Sequence, residues 1–478
     1  MNYEAVIGIE VHAELSTDTK IYCSCANKFG GEINTHCCPV CTGMPGTLPV
    51  LNGKVVDYAI KAGLAMNCDI NKNSKQDRKN YFYPDLPKAY QISQFDLPLC
   101  KDGYIDINVD GEKKRIGVTR IHIEEDAGKL MHDVTPDSSL IDYNRCGVPL
   151  IEIVSEPDMR SAKEAEEYLN TLKAILQYIN VSDCKMQEGS LRCDVNVSVR
   201  PVGQKEYGVR SEMKNVSTFS GVLRGIDYEI NRHIEILEAG GAIEQETRRW
   251  DDGKGISVSL RSKEDAHDYR YFPEPDLMPI VIADEKIEKL KNELPELPHI
   301  KRDRYIEQYG LPEYDATQLT ILKSTADFFE SVIAEGAAPK AASNWIMGDI
   351  WRIMNEKYML IEDLPFSAKQ LADMIALIES GTISNTAAKQ VIENMFETAK
   401  DPAVIIEDLG LKQVNDESEI LSIIDTVIEQ NPKSIEDFKG GKGNVAGFLV
   451  GQVMRMSKGK ANPQTVNKLI KEKLDALV

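Results

Sequence analysis

The sequence predicts an α+β protein: an N-terminal antiparallel-sheet domain followed by all-α segments. Three observations carry this. From Ala5 to Leu15 an apolar side chain takes every second place. Similar alternation returns at residues 104–109, 115–124, 191–200 and 209–216, the pattern of strands buried on one face. Beyond about residue 282 the apolar period becomes 3.6 and no strand-rich stretch follows. With 478 residues the chain is too long for one core, so two or three domains are expected.

In the first strand Ala5, Ile7, Ile9, Val11, Ala13 and Leu15 form the apolar row, and Glu10, His12 and Glu14 share the other face. A carboxylate and an imidazole two residues apart on a strand can converge on one metal ion. For this strand alone a solvated polar face is an equally good reading; the recurrence of the design further along shifts the balance.

Next come Cys23-x-Cys25 and, twelve residues on, Cys38-x-x-Cys41, with His36 and Cys37 beside the second pair. Two close sulfur pairs joined by a loop suit a tetrahedral structural Zn²⁺; the alternative is a set of reduced thiols. A helix is expected over 51–66. Residues 78–99 are rich in aromatics and prolines and carry Arg78, Lys79 and Lys88, the composition of an irregular binding loop. Asp110-Gly111 predicts the turn of a hairpin between 104–109 and 115–124. The second of these strands runs into His122, Glu124, Glu125 and Asp126, with Gly128 close behind. A further strand carries Glu152 and Glu156 on one face. An amphipathic helix is expected over 161–177 and another over 219–237. Between them, strand 191–200 sets Arg192, Asp194 and Asn196 opposite Leu191, Cys193 and Val195, and 209–216 sets Arg210, Glu212 and Lys214 on its polar side. Residues 248–260 and a Pro-rich segment at 268–279 close the domain. The paired Leu-Pro steps of 292–302 read as a linker. Helices are expected over 317–333, 341–358, 367–379 and 385–396, and two short ones in the last forty residues. The domain limits are 1–293, 294–406 and 407–478.

The composition is that of a soluble globular chain. No signal peptide and no apolar run of about 20 residues is visible, so a cytoplasmic protein without membrane contact is expected. The net charge of −20 argues against nucleic-acid binding over the whole surface. Residues 439–478, however, hold eight basic residues against two acids, directly after an acidic run at 401–438. That reversal marks a basic tail, in which Lys442, Arg455, Lys458 and Lys460 are candidate phosphate contacts; the alternative is a basic helix pair packed on the acidic run. Ten cysteines in such a chain suggest thiols or metal ligands rather than disulfides.

Glu10, His12, Glu124, Glu125, Glu152, Asp194 and Glu212 come from five strands. Carboxylates gathered on one open sheet face repel each other unless a cation neutralises them. Mg²⁺ prefers oxygen ligands and leaves room for phosphate, which Arg192, Arg210 and Lys214 could meet. The pattern fits Mg–nucleotide binding and phosphoryl transfer. No G-x-x-x-x-G-K-[S/T] loop and no G-x-S-x-G elbow is present, so any ATP use would be sheet-based.

VIGIEVHAEL, RKNYFYPDLPKAYQISQFD, IHIEEDAGK, NRCGVPLIEIVSEPD, EGSLRCDVNVSVRP, DYRYFPEPDLMP and GFLVGQVMRMSKGKANP resemble, end to end, the B-subunit family of the aspartyl/glutamyl-tRNA amidotransferases. The resemblance implies a ligase component that works with an amidase-type A subunit and a small C subunit. The A subunit would release ammonia from glutamine. This chain would use ATP and Mg²⁺ to activate the side-chain carboxylate of Glu or Asp mischarged on tRNA(Gln) or tRNA(Asn). It also implies a cradle domain related to the glutamine synthetase fold, followed by helical and tail domains that handle tRNA. By motif, His12, Glu125 and Glu152 would hold one Mg²⁺. Glu10, Asp194 and Glu212 would line the adjoining metal–ATP position, with Arg192 and Lys214 toward the nucleotide. Cys23, Cys25, Cys38 and Cys41 match a zinc-bearing branch. A non-catalytic tRNA-binding scaffold is the competing reading; it would have no use for a ring of carboxylates.

Overall fold

The computed structural model describes residues 2–135, 138–216, 218–262, 269–413, 417–439, 445–457 and 461–476. The chain divides into two units, Met1–Pro298 and His299–Val478.

In the first unit, β1 (Tyr3–Glu14) and helix α1 (Gly53–Ala65) precede four short strands: β2 (Asp69–Ile70), β3 (Asn73–Ser74), β4 (Asp77–Asn80) and β5 (Tyr90–Ser93). A long hairpin follows, β6 (Cys100–Val109) and β7 (Glu112–Glu125), then β8 (Lys129–Thr135), β9 (Ser138–Asp142) and β10 (Pro149–Ser155). Helix α2 (Ala162–Tyr178) leads to β11 (Leu191–Pro201) and β12 (Ser211–Val216); α3 (Phe219–Glu238) leads to β13 (Glu246–Asp251) and β14 (Ile256–Ser262). Nine of these strands make one sheet in the order β14-β13-β12-β11-β1-β10-β7-β6-β2. β1 is its central strand, antiparallel to both neighbours. The parallel pair β12·β13 is the exception, and α3 is its crossover.

The apolar row of β1 is fully buried, in one core with residues of α1, α2 and α3. Those helices occupy one face and leave the polar row of β1 toward the other. Ser161 and Thr218 cap α2 and α3, each side-chain oxygen accepting from the backbone N–H three residues on. The β6·β7 turn is the expected one: Asp110 and Gly111 both have positive φ, 54° and 87°, as a two-residue type I′ turn requires.

The 78–99 segment is more regular than its composition suggests. β4 and β5 pair within it, and β15 (Phe272–Pro273) adds to β4. Strands of four residues separated by Pro84 and Pro87 are too short to show a period. β13 and β14 form a hairpin turning at 252–255.

The second unit is helical throughout its described residues, with one core from Tyr305 to Ile406 and another from Ile420 to Leu474. Helix Pro298–Tyr309 starts inside the stretch read as a linker. The helix expected over 317–333 is broken between Glu313–Thr320 and Lys323–Ala334. That expected over 341–358 carries a π turn at Ile346–Ile350, which a 3.6-residue period cannot reveal.

Candidate active site

The register of the central strands assembles the site. Glu10 lies opposite Asp194 on one side, and His12 lies opposite Glu152 on the other. Glu152 in turn faces His122, and Asn196 faces Glu212. Two clusters result. The ligand atoms of His12, Glu124 and Glu152 fall within 4.8 Å of one another, and so do those of Glu10, Asp194 and Glu212.

In the first cluster His12 Nε2 is 3.3 Å from Glu152 Oε2. His122 Nε2 lies 3.1 Å from Glu124 Oε1 and 3.5 Å from Glu152 Oε2. Ser93 Oγ donates to Glu124 Oε1 at 2.7 Å and Gln91 Nε2 to Glu124 Oε2 at 3.2 Å, which fixes that carboxylate from the β5 side. Glu124 is only 2% exposed. Burial alone would raise both carboxyls. Lys79, His122 and His12 outweigh it at Glu124, and the two imidazoles do so at Glu152, so both stay ionised. Burial would likewise lower His12, but Glu152 raises it. The negative cluster thus favours positive charge at His12, as expected of a site suited to a cation.

One expected ligand is corrected. Glu125 does not join His12 and Glu152; Glu124 does. Side chains on a strand alternate, so the face that carries His122 carries Glu124 and turns Glu125 away. Glu125 instead forms a short ion pair with Lys88 and accepts from Ile92 N at 2.9 Å. Glu125 is buried and Lys88 largely so, and the pair lines a cavity of about 130 Å³ shared with Cys23, Cys41 and Tyr90. Lys88→Met should therefore lower the stability of the unit by about 3 kcal/mol, because it strands a buried carboxylate; a urea midpoint unchanged from wild type would contradict this.

In the second cluster Lys214 Nζ sits 2.5 Å from Asp194 Oδ2 and 3.2 Å from Glu212 Oε1. Asn196 Nδ2 donates to Glu10 Oε1 at 3.2 Å and Thr247 Oγ1 to Glu212 Oε2 at 2.9 Å. Burial, then Glu152 and Asp194, raise the Glu10 carboxyl. A groove of about 680 Å³ runs past Glu10, lined by Gly8, Asn196, Tyr207 and the exposed Arg210. Arg192 takes a different post: its Nη2 binds Asp126 Oδ2 at 2.6 Å.

His122, Lys79 and Thr247 belong to the site without standing out in the sequence as site residues. Alternation marks His122, since Arg120, His122 and Glu124 share one face. Lys79 lies 5.2 Å from the Tyr269 ring centre. Burial pulls its ammonium down, and Glu124, Tyr271 and Glu152 more than offset that.

The four cysteines converge as their spacing predicts, with the Sγ atoms of Cys23, Cys25, Cys38 and Cys41 within 4.8 Å of one another. Cys37 faces away, its thiol 3.2 Å from Asn34 O, and His36 is outside the group. The bond from Cys23 holds the Cys41 thiol at about 5. Lys20, fully buried, brings its Nζ to 3.7 Å from Cys41 Sγ and 2.7 Å from His36 O. Four converging sulfurs beside the buried Lys20 fit Zn²⁺.

Of the basic tail, Lys442, Lys458 and Lys460 lie outside the described residues. Arg455 is exposed at the end of helix Val445–Met456. Helix Pro463–Asp475 shares a core with the acidic helix Glu417–Gln430, and Lys473 Nζ meets Asp425 Oδ1 at 2.5 Å. Among the described residues no helix is long and apolar enough to cross a membrane.

An α+β unit with carboxylate–histidine and carboxylate clusters on its open sheet face, followed by helices, has matches among known proteins. The family model described as the GatB/GatE catalytic domain matches residues 5–288, and the GatB domain matches 327–474. These matches define the class, a tRNA-dependent amidotransferase component with its catalytic domain first. Curated relatives named as the B subunit of aspartyl/glutamyl-tRNA(Asn/Gln) amidotransferase are 63% identical in Caldicellulosiruptor bescii and 57% identical in Clostridium tetani, each over all of both chains. The one in Thermoanaerobacter pseudethanolicus is 61% identical over 99% of this chain and all of its own. The chain belongs to the B-subunit family of the aspartyl/glutamyl-tRNA(Asn/Gln) amidotransferases.

Proposed function

We propose that this chain carries out the ATP-dependent half of tRNA-dependent amidation. Glu or Asp mischarged on tRNA(Gln) or tRNA(Asn) is activated on its side-chain carboxylate and converted to the amide. An amidase-type A subunit supplies the ammonia from glutamine, and a small C subunit completes the complex. The observation that carries this reading is the pair of clusters on either side of β1, at Glu10 and at His12.

A carboxylate is a poor acyl donor because its leaving group is oxide. In the proposed sequence a substrate carboxylate oxygen attacks the γ-phosphorus of ATP, and ADP departs. Ammonia then adds to the carbonyl carbon, and phosphate departs with the oxygen that was activated. Glu10, Asp194 and Glu212 would hold one Mg²⁺, and His12, Glu124 and Glu152 another. Bound there, the ions offset the charge that gathers as phosphate approaches carboxylate. Lys214 and Arg210 meet phosphate oxygens at the second cluster and the groove beside it. Lys79 supplies a fixed positive charge facing Glu124 and Glu152, preorganised for an anionic transition state. Cys23, Cys25, Cys38 and Cys41 would hold structural Zn²⁺ and take no part in the chemistry.

The test is reconstitution with the A and C subunits and assay on each mischarged tRNA. Amide should form with glutamine or ammonia only when ATP is present. ATP-independent amide formation would overturn the reading.

The basic tail is proposed to contact the tRNA body. Deleting residues 439–478 would strip the apolar face of helix Glu417–Gln430, so a point change is cleaner. Arg455→Glu should weaken mischarged tRNA binding about equally for every sequence and reduce the salt slope by about one. An unchanged slope would assign Arg455 to solvent.

A further inference from the structure

Beneath the second cluster, on the helix side of the sheet, lies a polar network that the mechanism above does not use. Its centre is Glu229 of α3, wholly buried. Arg232 Nη2 donates to Glu229 Oε2 at 2.7 Å and Arg248 Nε reaches Glu229 Oε1 at 3.1 Å. Ser257 Oγ makes a short bond to the same Oε1. His233 Nε2 lies 2.9 Å from Ser211 Oγ and 3.5 Å from Glu229 Oε2. One helical carboxylate thereby ties together β12 through Ser211, β13 through Arg248 and β14 through Ser257. Burial would raise the Glu229 carboxyl, but the bonds from His233, Arg232 and Ser257 hold it at about 2.

The position of this network matters. β12 and β13 are the parallel pair, joined by a long crossover, so no tight turn sets their register. The β13·β14 pairing also shifts register between Thr247 and Arg248. The extra residue, Leu260, lies on β14, so β13 itself keeps its regular alternation. Here Arg248 points into the network, while Thr247 points to the opposite face and donates to Glu212, its partner in register.

We infer that Glu229 is a positioning residue for the second cluster: by holding Arg248 and Ser257 it fixes β13 against its neighbours in the register that aims the Thr247 hydroxyl at Glu212. The inference rests on the proposed role of Glu212, and its test separates the two. In the assembled enzyme, Glu229→Ala, Glu212→Gln and the double variant are compared for kcat and for the KM of Mg·ATP.

Glu212→Gln alone should raise that KM, and Glu229→Ala should raise it about tenfold or more, in the range of lost outer-shell partners. The double variant should then be no worse than Glu212→Gln, because the second change has nothing left to position. Multiplying effects would overturn the inference while leaving the reading of Glu212 standing. An inert Glu212→Gln would sink the reading of Glu212 and the inference with it. If Glu229→Ala does not fold, Thr247→Val, nearly isosteric, takes its place in the cycle. It should raise KM several-fold in wild type and leave it unmoved in the Glu212→Gln background. Equal effects in both backgrounds would contradict the inference.

Discussion

Glu124→Gln, in the complex with its partner subunits, is expected to cut ATP-dependent amidation by about 10³-fold or more, the loss of several kcal/mol of cation-based stabilisation. The substitution keeps the shape of the side chain and its bond from Ser93, and removes the charge together with the bond from Gln91. His12→Ala should act in the same direction, since His12 and Glu124 share the cluster with Glu152. Glutamine hydrolysis, proposed above for the A subunit, should persist in both variants, because that chemistry would lie on another chain. The check is amide formed per mischarged tRNA, followed over a Mg²⁺ titration. If Glu124→Gln keeps full activity at limiting Mg²⁺, the first cluster is not part of the reaction.

The second large effect is on stability. Cys41→Ser should release zinc and destabilise the first unit by about 3 kcal/mol or more, as loss of a structural metal does. Cys41 is the ligand closest to Lys20, so its removal also leaves that buried ammonium 3.7 Å from a neutral hydroxyl position in place of a sulfur. Cys37→Ser, whose thiol points to Asn34 O instead, should retain the metal. Metal analysis of protein purified without chelator, with thermal unfolding of each variant, decides the matter. Wild-type protein free of zinc, with all four thiols titratable, would contradict the assignment.

Most of the site can be read from the sequence because a strand encodes its faces in a period of two. Glu10 and His12, Asp194 and Asn196, and Glu212 and Lys214 group correctly on that ground alone. Where a motif replaces the period, the reading slips by one. Three acids in a row at 124–126 give no reason to prefer Glu125, whereas alternation from His122 selects Glu124. Arg192 shares a strand face with Asp194 but spends its guanidinium on Asp126, a contact that depends on how the strand after β7 returns. Glu229 is invisible in the sequence because it sits in an ordinary amphipathic helix, and only the parallel pairing of β12 and β13 gives it work to do. In the helical unit the existence of helices is legible, while the π turn at Ile346–Ile350 and the break at 321–322 are not. Both keep the apolar period nearly intact.

Activation as proposed requires that the side-chain carboxylate is itself phosphorylated. Glutamate labelled with oxygen-18 in its side-chain carboxylate, charged onto tRNA(Gln) and turned over by the assembled enzyme with ATP and ammonia, tests this directly. The mass of the released phosphate should show one labelled oxygen transferred per amide formed. Unlabelled phosphate alongside normal amide formation would contradict it.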